Sequence, residues 1–230
     1  MEVSRFKRGA YRFYRVKPGV ELPSVTSILT LLPKPKIVLW AVMQTIKYLV
    51  GKGNLSQDTV FEGFVFHKKL LDSLAEEGTN IHEIIEDYLI KHKESDHEVL
   101  GRFKKFEQQN GFTIEAVELT LWDESPDYQS AGTADLIGAL FGNPIVLDIK
   151  TSKAIRLSHK IQSCIYRDMF EKRTGKKGYS SGVLLLPRDS KKKVELYVNT
   201  PAEEGNFRAI FSHLTKLFQL LLKIKELDLT

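Results

Sequence analysis

Three residues have the types and spacing to do chemistry together: Asp135, Asp148 and Lys150. Asp135 ends the run Gly132-Thr133-Ala134-Asp135. Thirteen residues later, Asp148-Ile149-Lys150 sits inside Leu147-Asp-Ile-Lys-Thr-Ser-Lys153. Leu136–Phe141 and the turn signal Gly142-Asn143-Pro144 lie between them, so the stretch reads as a β-hairpin with Asp135 on one strand and Asp148 and Lys150 on the other. The two-residue period of a strand puts Asp148 and Lys150 on one face and Ile149 on the other. Two carboxylates on one sheet face are costly without a partner. A hard divalent cation suits them, since Mg²⁺ is bound by one or two carboxylates together with phosphate and water oxygens.

Three further groups could join them. His82 and Glu86 are four apart after Gly78-Thr-Asn-Ile, so on a helix they share a flank beside the apolar stripe of Ile81, Ile84, Ile85 and Tyr88. Taken alone, this reads as a surface His–Glu pair. Glu118 falls on the alternating stretch Phe112–Asp123, one strand before Asp135, and reads either as a site residue or as an exposed strand residue. Gln162 and Tyr166 share a helix face in Gln162-Ser-Cys-Ile-Tyr166, a commonplace pattern in isolation.

The elements that must position these groups follow from periodicity and breakers. Residues 10–16 alternate as a strand before Pro18-Gly19, and Ser24 or Thr26 caps a short helix ended by Pro33 and Pro35. Apolar spacing from Ile37 to Val50 predicts a core helix with Trp40 as a buried anchor. A helix over 57–76 is expected to break at Gly78, with Thr79 or Asn80 capping the next one to about Lys91. Helices over 96–110 and from Leu157 to Lys172, strands over Tyr179–Leu186 and Val194–Asn199, and a last helix from Pro201 to about Leu227 complete the chain. Arg167, Lys172, Arg173, Lys176 and Lys177 form a basic run that suits phosphates or a solvated surface.

In order, Gly78-Thr-Asn-Ile-His82…Glu86, Gly-Thr-Ala-Asp135, Asp148-Ile-Lys150 and Gln162-x-x-x-Tyr166 resemble the PD-(D/E)XK nucleases, in particular their RecB-like exonuclease branch. Leu22-Pro-Ser-Val-Thr-Ser-Ile-Leu29 with Trp40 is similar to the start of the mitochondrial genome maintenance exonuclease and its phage relatives. The resemblance runs from about Leu22 to about Leu186. It implies an α/β, restriction-endonuclease-like fold: a central mixed β-sheet flanked by helices, with an N-terminal helical elaboration. It implies one nuclease domain over 1–230, with 1–77 as the elaboration, 78–200 as the catalytic core and 201–230 as a C-terminal helix. Asp135, Asp148, His82 and the Ile149 backbone carbonyl would then hold Mg²⁺ or Mn²⁺. Lys150 would orient the nucleophile, offset developing charge or act as a general base. Gln162, Tyr166, Lys153 and Arg167 would brace the site or contact DNA. The activity implied is a metal-dependent DNA exonuclease of repair, recombination or replication, acting on single-stranded or end-frayed DNA. An endonuclease of the same fold and a non-catalytic nucleic-acid-binding module are the alternatives.

Composition fits that reading. Among 230 residues, 34 Lys and Arg against 29 Asp and Glu give a net charge of +5, which suits a polyanionic partner. Cys164 is the only cysteine, which excludes an internal disulfide and an iron–sulfur cluster held by four cysteines of the chain, a departure from cluster-carrying RecB-like relatives. Gly175-Lys176 is followed by Lys177, so the phosphate-binding loop of a nucleotide-driven motor is missing. No apolar run reaches membrane-spanning length and Met1–Arg8 lacks a signal-peptide core, so a cytoplasmic protein of bacterial, archaeal or viral origin is expected.

Overall fold

The computed structural model describes residues 3–53, 56–189 and 191–224. The chain divides into two compact units, one of Met1–Leu31 with Ile84–Thr230 and one of Leu32–Glu83. The first unit opens with three short antiparallel strands, β1 (Ser4–Arg8), β2 (Tyr11–Lys17) and β3 (Val20–Pro23). Ser24 then caps α1 (Val25–Ile28) by accepting the Ser27 N–H, and a 3₁₀ turn follows over Leu29–Leu31. The sequence marked β2 and this capped short helix in advance, but neither β1 nor β3.

The second unit holds α2 (Pro35–Lys52) and most of α3 (Gln57–Lys91). It falls largely inside the stretch assigned above to an elaboration. Tyr48 joins the two helices, its ring 4.8 Å from that of Phe66 and its hydroxyl donating to Glu62 at 2.6 Å. Two expectations fail in this region. α3 passes through Gly78 without a break, because a single interior glycine costs only about 1 kcal/mol and good helix formers flank it. α2 is no core helix: Val38, Leu39, Val42 and Ile46 are all exposed, and Trp40 is half-buried. Helical spacing defines an apolar face but does not say what covers it.

The rest of the first unit is α4 (Glu98–Gln109), β4 (Phe112–Asp123), β5 (Ser130–Leu140), β6 (Asn143–Lys150), α5 (Leu157–Thr174), β7 (Ser180–Leu185), β8 (Glu195–Val198) and α6 (Pro201–Lys223). The expected extension of α6 to Leu227 lies outside the described residues. The strands form one sheet in the order β4-β5-β6-β7-β8. All neighbours are antiparallel except β6 and β7, which are parallel and joined through α5, since a parallel pair needs a crossover of this length. The α/β class and the mixed sheet flanked by helices are those anticipated from the sequence.

The β5–β6 hairpin turns one residue earlier than expected. Phe141 (φ 47°) and Gly142 (φ 81°) occupy the two turn positions, while Asn143 and Pro144 already pair in β6. Two left-handed residues match the twist of the flanking strands, and this outweighs the strain at an exposed Phe141.

α5 is fixed by a buried polar strut. Arg167 donates to Glu204 of α6 at 2.8 Å, to the Tyr179 carbonyl at 2.6 Å and to Asp168 at 2.8 Å, and Ser181 also donates to Glu204 at 2.8 Å. No helix among the described residues is long and apolar enough to cross a membrane. Arg167→Met is expected to destabilise the fold by about 3 kcal/mol in urea titrations, because it strands the buried Glu204 carboxylate. Adding Glu204→Gln should restore much of that loss. A single variant as stable as the parent would refute the strut.

Candidate active site

The site lies where the β5–β6 ladder parts. Pairing is regular up to Leu136 opposite Leu147, and the next positions are Asp135 and Asp148. Instead of a backbone carbonyl, the Asp135 carboxylate accepts the Ile149 N–H, at 2.6 Å. A strand residue directs its N–H and C=O toward the same neighbour. The Ile149 carbonyl therefore faces the side on which Asp135 sits. The Asp148 and Lys150 side chains lie on the face of β6 opposite to that of Ile149, and they form an ion pair of 2.6 Å with Asp148 only 1% exposed. Glu118 joins from β4. The register on either side, Val117 with Leu136 and Leu119 with Ala134, sets Glu118 across from Asp135, and its φ of 49° is a strained value for a residue with a side chain.

The electrostatics are those of crowded negative charge. Burial raises the Glu118 carboxyl, and Asp135, Glu86 and Asp148 add to the effect while Arg5 opposes it, so it reaches about 8. Burial also holds Asp135 above the usual carboxylate value, against the pull of Lys150 and the Ile149 N–H. For Lys150, burial disfavours the ammonium, but Asp148 and then Asp135 outweigh it and raise the group above an ordinary lysine. Asp135, Asp148, Glu118 and Glu86 thus repel one another, and Lys150 and Arg5 oppose that repulsion. Buried and half-buried oxygen donors gathered in this way are what a hard divalent cation satisfies.

The wall opposite β6 comes from α5. Tyr166 is buried and its hydroxyl accepts from Gln162 Nε2 at 3.2 Å. Burial, then the charges of Asp148 and Asp135 and the nearby Tyr14, push the phenol far above its usual value, so it stays neutral. Gly132 makes room for this ring, because a Cβ there would stand 2.5 Å from both the ring and the hydroxyl. Tyr14 of β2 meets Thr133, with 3.3 Å between the hydroxyls. His159, at the start of α5, is lowered to about 3 by burial and by the charges of Lys150 and Arg156.

Asp135, Asp148, Ile149, Lys150, Glu118 and Glu86 therefore gather in the first unit, with Gln162 and Tyr166 alongside. His82 belongs to the second unit, one turn before Glu86 along α3. Lys153 is exposed on the loop after β6. Arg167 does not join a phosphate-facing surface: it is 7% exposed and committed to Glu204, Asp168 and Tyr179. The expected basic run also dissolves into local pairs. Lys172 meets Asp123 at 2.7 Å, Lys176 meets Glu115 at 2.5 Å, and Arg173 lies 3.6 Å over the Trp122 ring. Sequence reasoning missed Arg5, Tyr14 and His159. Only Tyr14 carried a signal, as an inward position of an alternating strand.

No family model matches the chain, and no curated protein matches it. Among solved structures it is similar to the crystal structure of a "Putative exonuclease" from Eubacterium rectale, at 13% identity and a TM-score of 0.42, over 57% of this chain and 53% of that one. The chain spans about half the length of that structure. Fold and site together define an α/β protein with a buried, lysine-bearing acidic cluster at the parting of two central strands.

Two outcomes test this geometry. Folded Glu118 holds a proton that an unfolded chain loses near its ordinary value of 4.5, so its stabilising contribution is present at low pH and lost as pH rises through about 8. Glu118→Gln, melted in chelator, should match the parent near pH 5 and exceed it near pH 9 by roughly 1–2 kcal/mol after solvent screening. Parallel stability curves would refute the crowding. Gly132→Ala should cost about 2 kcal/mol by overpacking, and the penalty should shrink when Tyr166→Leu is also present. Strict additivity would show that the two residues do not touch.

Proposed function

We propose that this chain is a metal-dependent nuclease of the RecB-like PD-(D/E)XK branch that hydrolyses phosphodiester bonds in DNA as an exonuclease. The observation that carries the reading is the Asp148–Lys150 ion pair of 2.6 Å, beside an Asp135 carboxylate anchored on the Ile149 N–H. Asp135, Asp148 and the Ile149 carbonyl would hold Mg²⁺ or Mn²⁺, with Glu118 and Glu86 as further oxygen donors. His82 would supply a nitrogen ligand. Its support is the sequence pattern Gly78-Thr-Asn-Ile-His82. A bound divalent cation in such a donor set polarises a phosphate oxygen and lowers the pKa of water.

The chain's own residues do the rest. Asp148 and Asp135 keep Lys150 an ammonium, which supports a role in offsetting negative charge on the phosphate over that of a general base. Tyr166, neutral and buried, contributes a polar wall without adding charge beside Asp148. Gln162 holds the Tyr166 hydroxyl from one helical turn away.

The test is cleavage of end-labelled linear single-stranded DNA with Mg²⁺ or Mn²⁺ and with chelator, with a closed circular strand as control. The parent should degrade only the linear strand and only with metal. Asp148→Asn and Lys150→Ala should each lose at least about a hundredfold in rate. Retention of the parental rate by both variants would sink the assignment, and cutting of the circle would make the protein an endonuclease.

A further inference from the structure

Two groups of surface cations differ. Lys172, Arg173 and Lys176 at the C-terminal end of α5 are matched to acids or to an aromatic ring, as described above. A second group surrounds a groove of about 640 Å³ between α4 and the loop joining β7 to β8, where Arg102, Lys105, Lys191, Lys192 and Lys193 converge and no acidic residue contributes to the lining. The four lysines are exposed, and none has an ion-pair partner among the described residues. Asp189, two residues before Lys191, accepts the Lys191 N–H at 3.1 Å, and neither Glu195 nor Glu107, equally near the lysines in sequence, lines the groove.

The groove is built rather than incidental. Arg102 donates to the Pro187 carbonyl at 2.7 Å and to the Lys192 carbonyl at 3.1 Å, so α4 holds the lysine loop in place. Its floor is apolar, with Phe106 buried and Val194 and Leu196 half-buried. Its position is tied to the site through β7. Leu185 pairs with Lys150, the Leu186 N–H donates to the Lys150 carbonyl at 2.8 Å, and the lysine loop begins a few residues later. The groove therefore opens at the end of the sheet where β6 delivers Lys150. Like charges gathered with no internal counterion are relieved by a polyanion, and binding one releases its condensed counterions.

From this juxtaposition we infer that the groove between α4 and the β7–β8 loop is a separate binding site for the phosphate backbone of a nucleic-acid strand, engaging nucleotides away from the scissile bond. Phosphates lie along the cations while sugars and bases cover the apolar floor. The inference rests on the nuclease reading for what happens to the strand, but binding is measured apart from cleavage.

The experiment compares the full chain with a Lys105→Gln/Lys191→Gln/Lys193→Gln variant that leaves Arg102 in place. In chelator, binding of a long labelled oligothymidylate is followed against salt. Removing three phosphate contacts should weaken it roughly tenfold to a hundredfold and lower the slope of log affinity against log salt by about 2. With metal, KM for the long strand should rise with kcat unchanged, and hydrolysis of a trinucleotide, too short to reach the groove, should not change. Unchanged affinity and salt slope would overturn the inference, as would equal losses on long and short substrates. Displacement of the oligonucleotide by polyglutamate at equal charge would assign the groove to acidic protein segments and overturn it as well. If the parent hydrolyses nothing while the variant loses salt-dependent binding, the nuclease reading fails and the groove stands.

Discussion

The structure turns on one electrostatic constraint: several carboxylates share a buried space with a single lysine. Two unit charges 4 Å apart interact by about 4 kcal/mol at an effective dielectric near 20, so repulsion among Asp135, Asp148 and Glu118 is large on the scale of a domain's stability. Lys150 offsets part of it through Asp148, and the Ile149 N–H offsets part through Asp135. The remainder is met by protonation at Glu118. The parting of β5 and β6 follows, because Asp135 can take the Ile149 N–H only where the two strands stop pairing.

Such an arrangement requires a stiff frame, and the frame is visible in the elements around it. The parallel β6–β7 pair forces a crossover, and α5 fills it, which places Gln162 and Tyr166 against the open end of the ladder. α5 cannot drift, because Arg167 ties it to α6 and to the start of β7 from beneath. The absence of a side chain at Gly132 lets the Tyr166 ring reach β5, and β2 closes the same region through Tyr14. Side chains far apart in the sequence thus hold one small cluster in a fixed geometry.

Much of this was legible in the sequence because it rests on short-range periodicity. The alternation around Asp148 and Lys150 and the spacing of Gln162 and Tyr166 depend only on local backbone geometry, and the chemistry could be argued from them. What was not legible depends on partners. Gly78 looked like a break because propensity was weighed without the helix around it. α2 looked like a core helix because an apolar face does not reveal its cover. Arg167 looked like a phosphate contact because nothing in its neighbourhood announces Glu204, thirty-seven residues away. The left-handed backbone at Glu118 has no sequence signal, since no glycine or asparagine marks the position.

Tyr166 shows why the cluster accepts some neighbours and not others. A side chain packed beside Asp148 must be polar enough to tolerate a carboxylate and must not carry a negative charge of its own. A phenol meets both conditions only if its proton is secure. Burial and the adjacent carboxylates secure it, by making phenolate far less favourable than in water. The same carboxylates that hold Lys150 charged therefore hold Tyr166 neutral, and both effects place protons on the groups that border the cluster. A border of proton-bearing groups around an oxygen-rich centre is suited to stabilising negative charge arriving from outside, as on a phosphate.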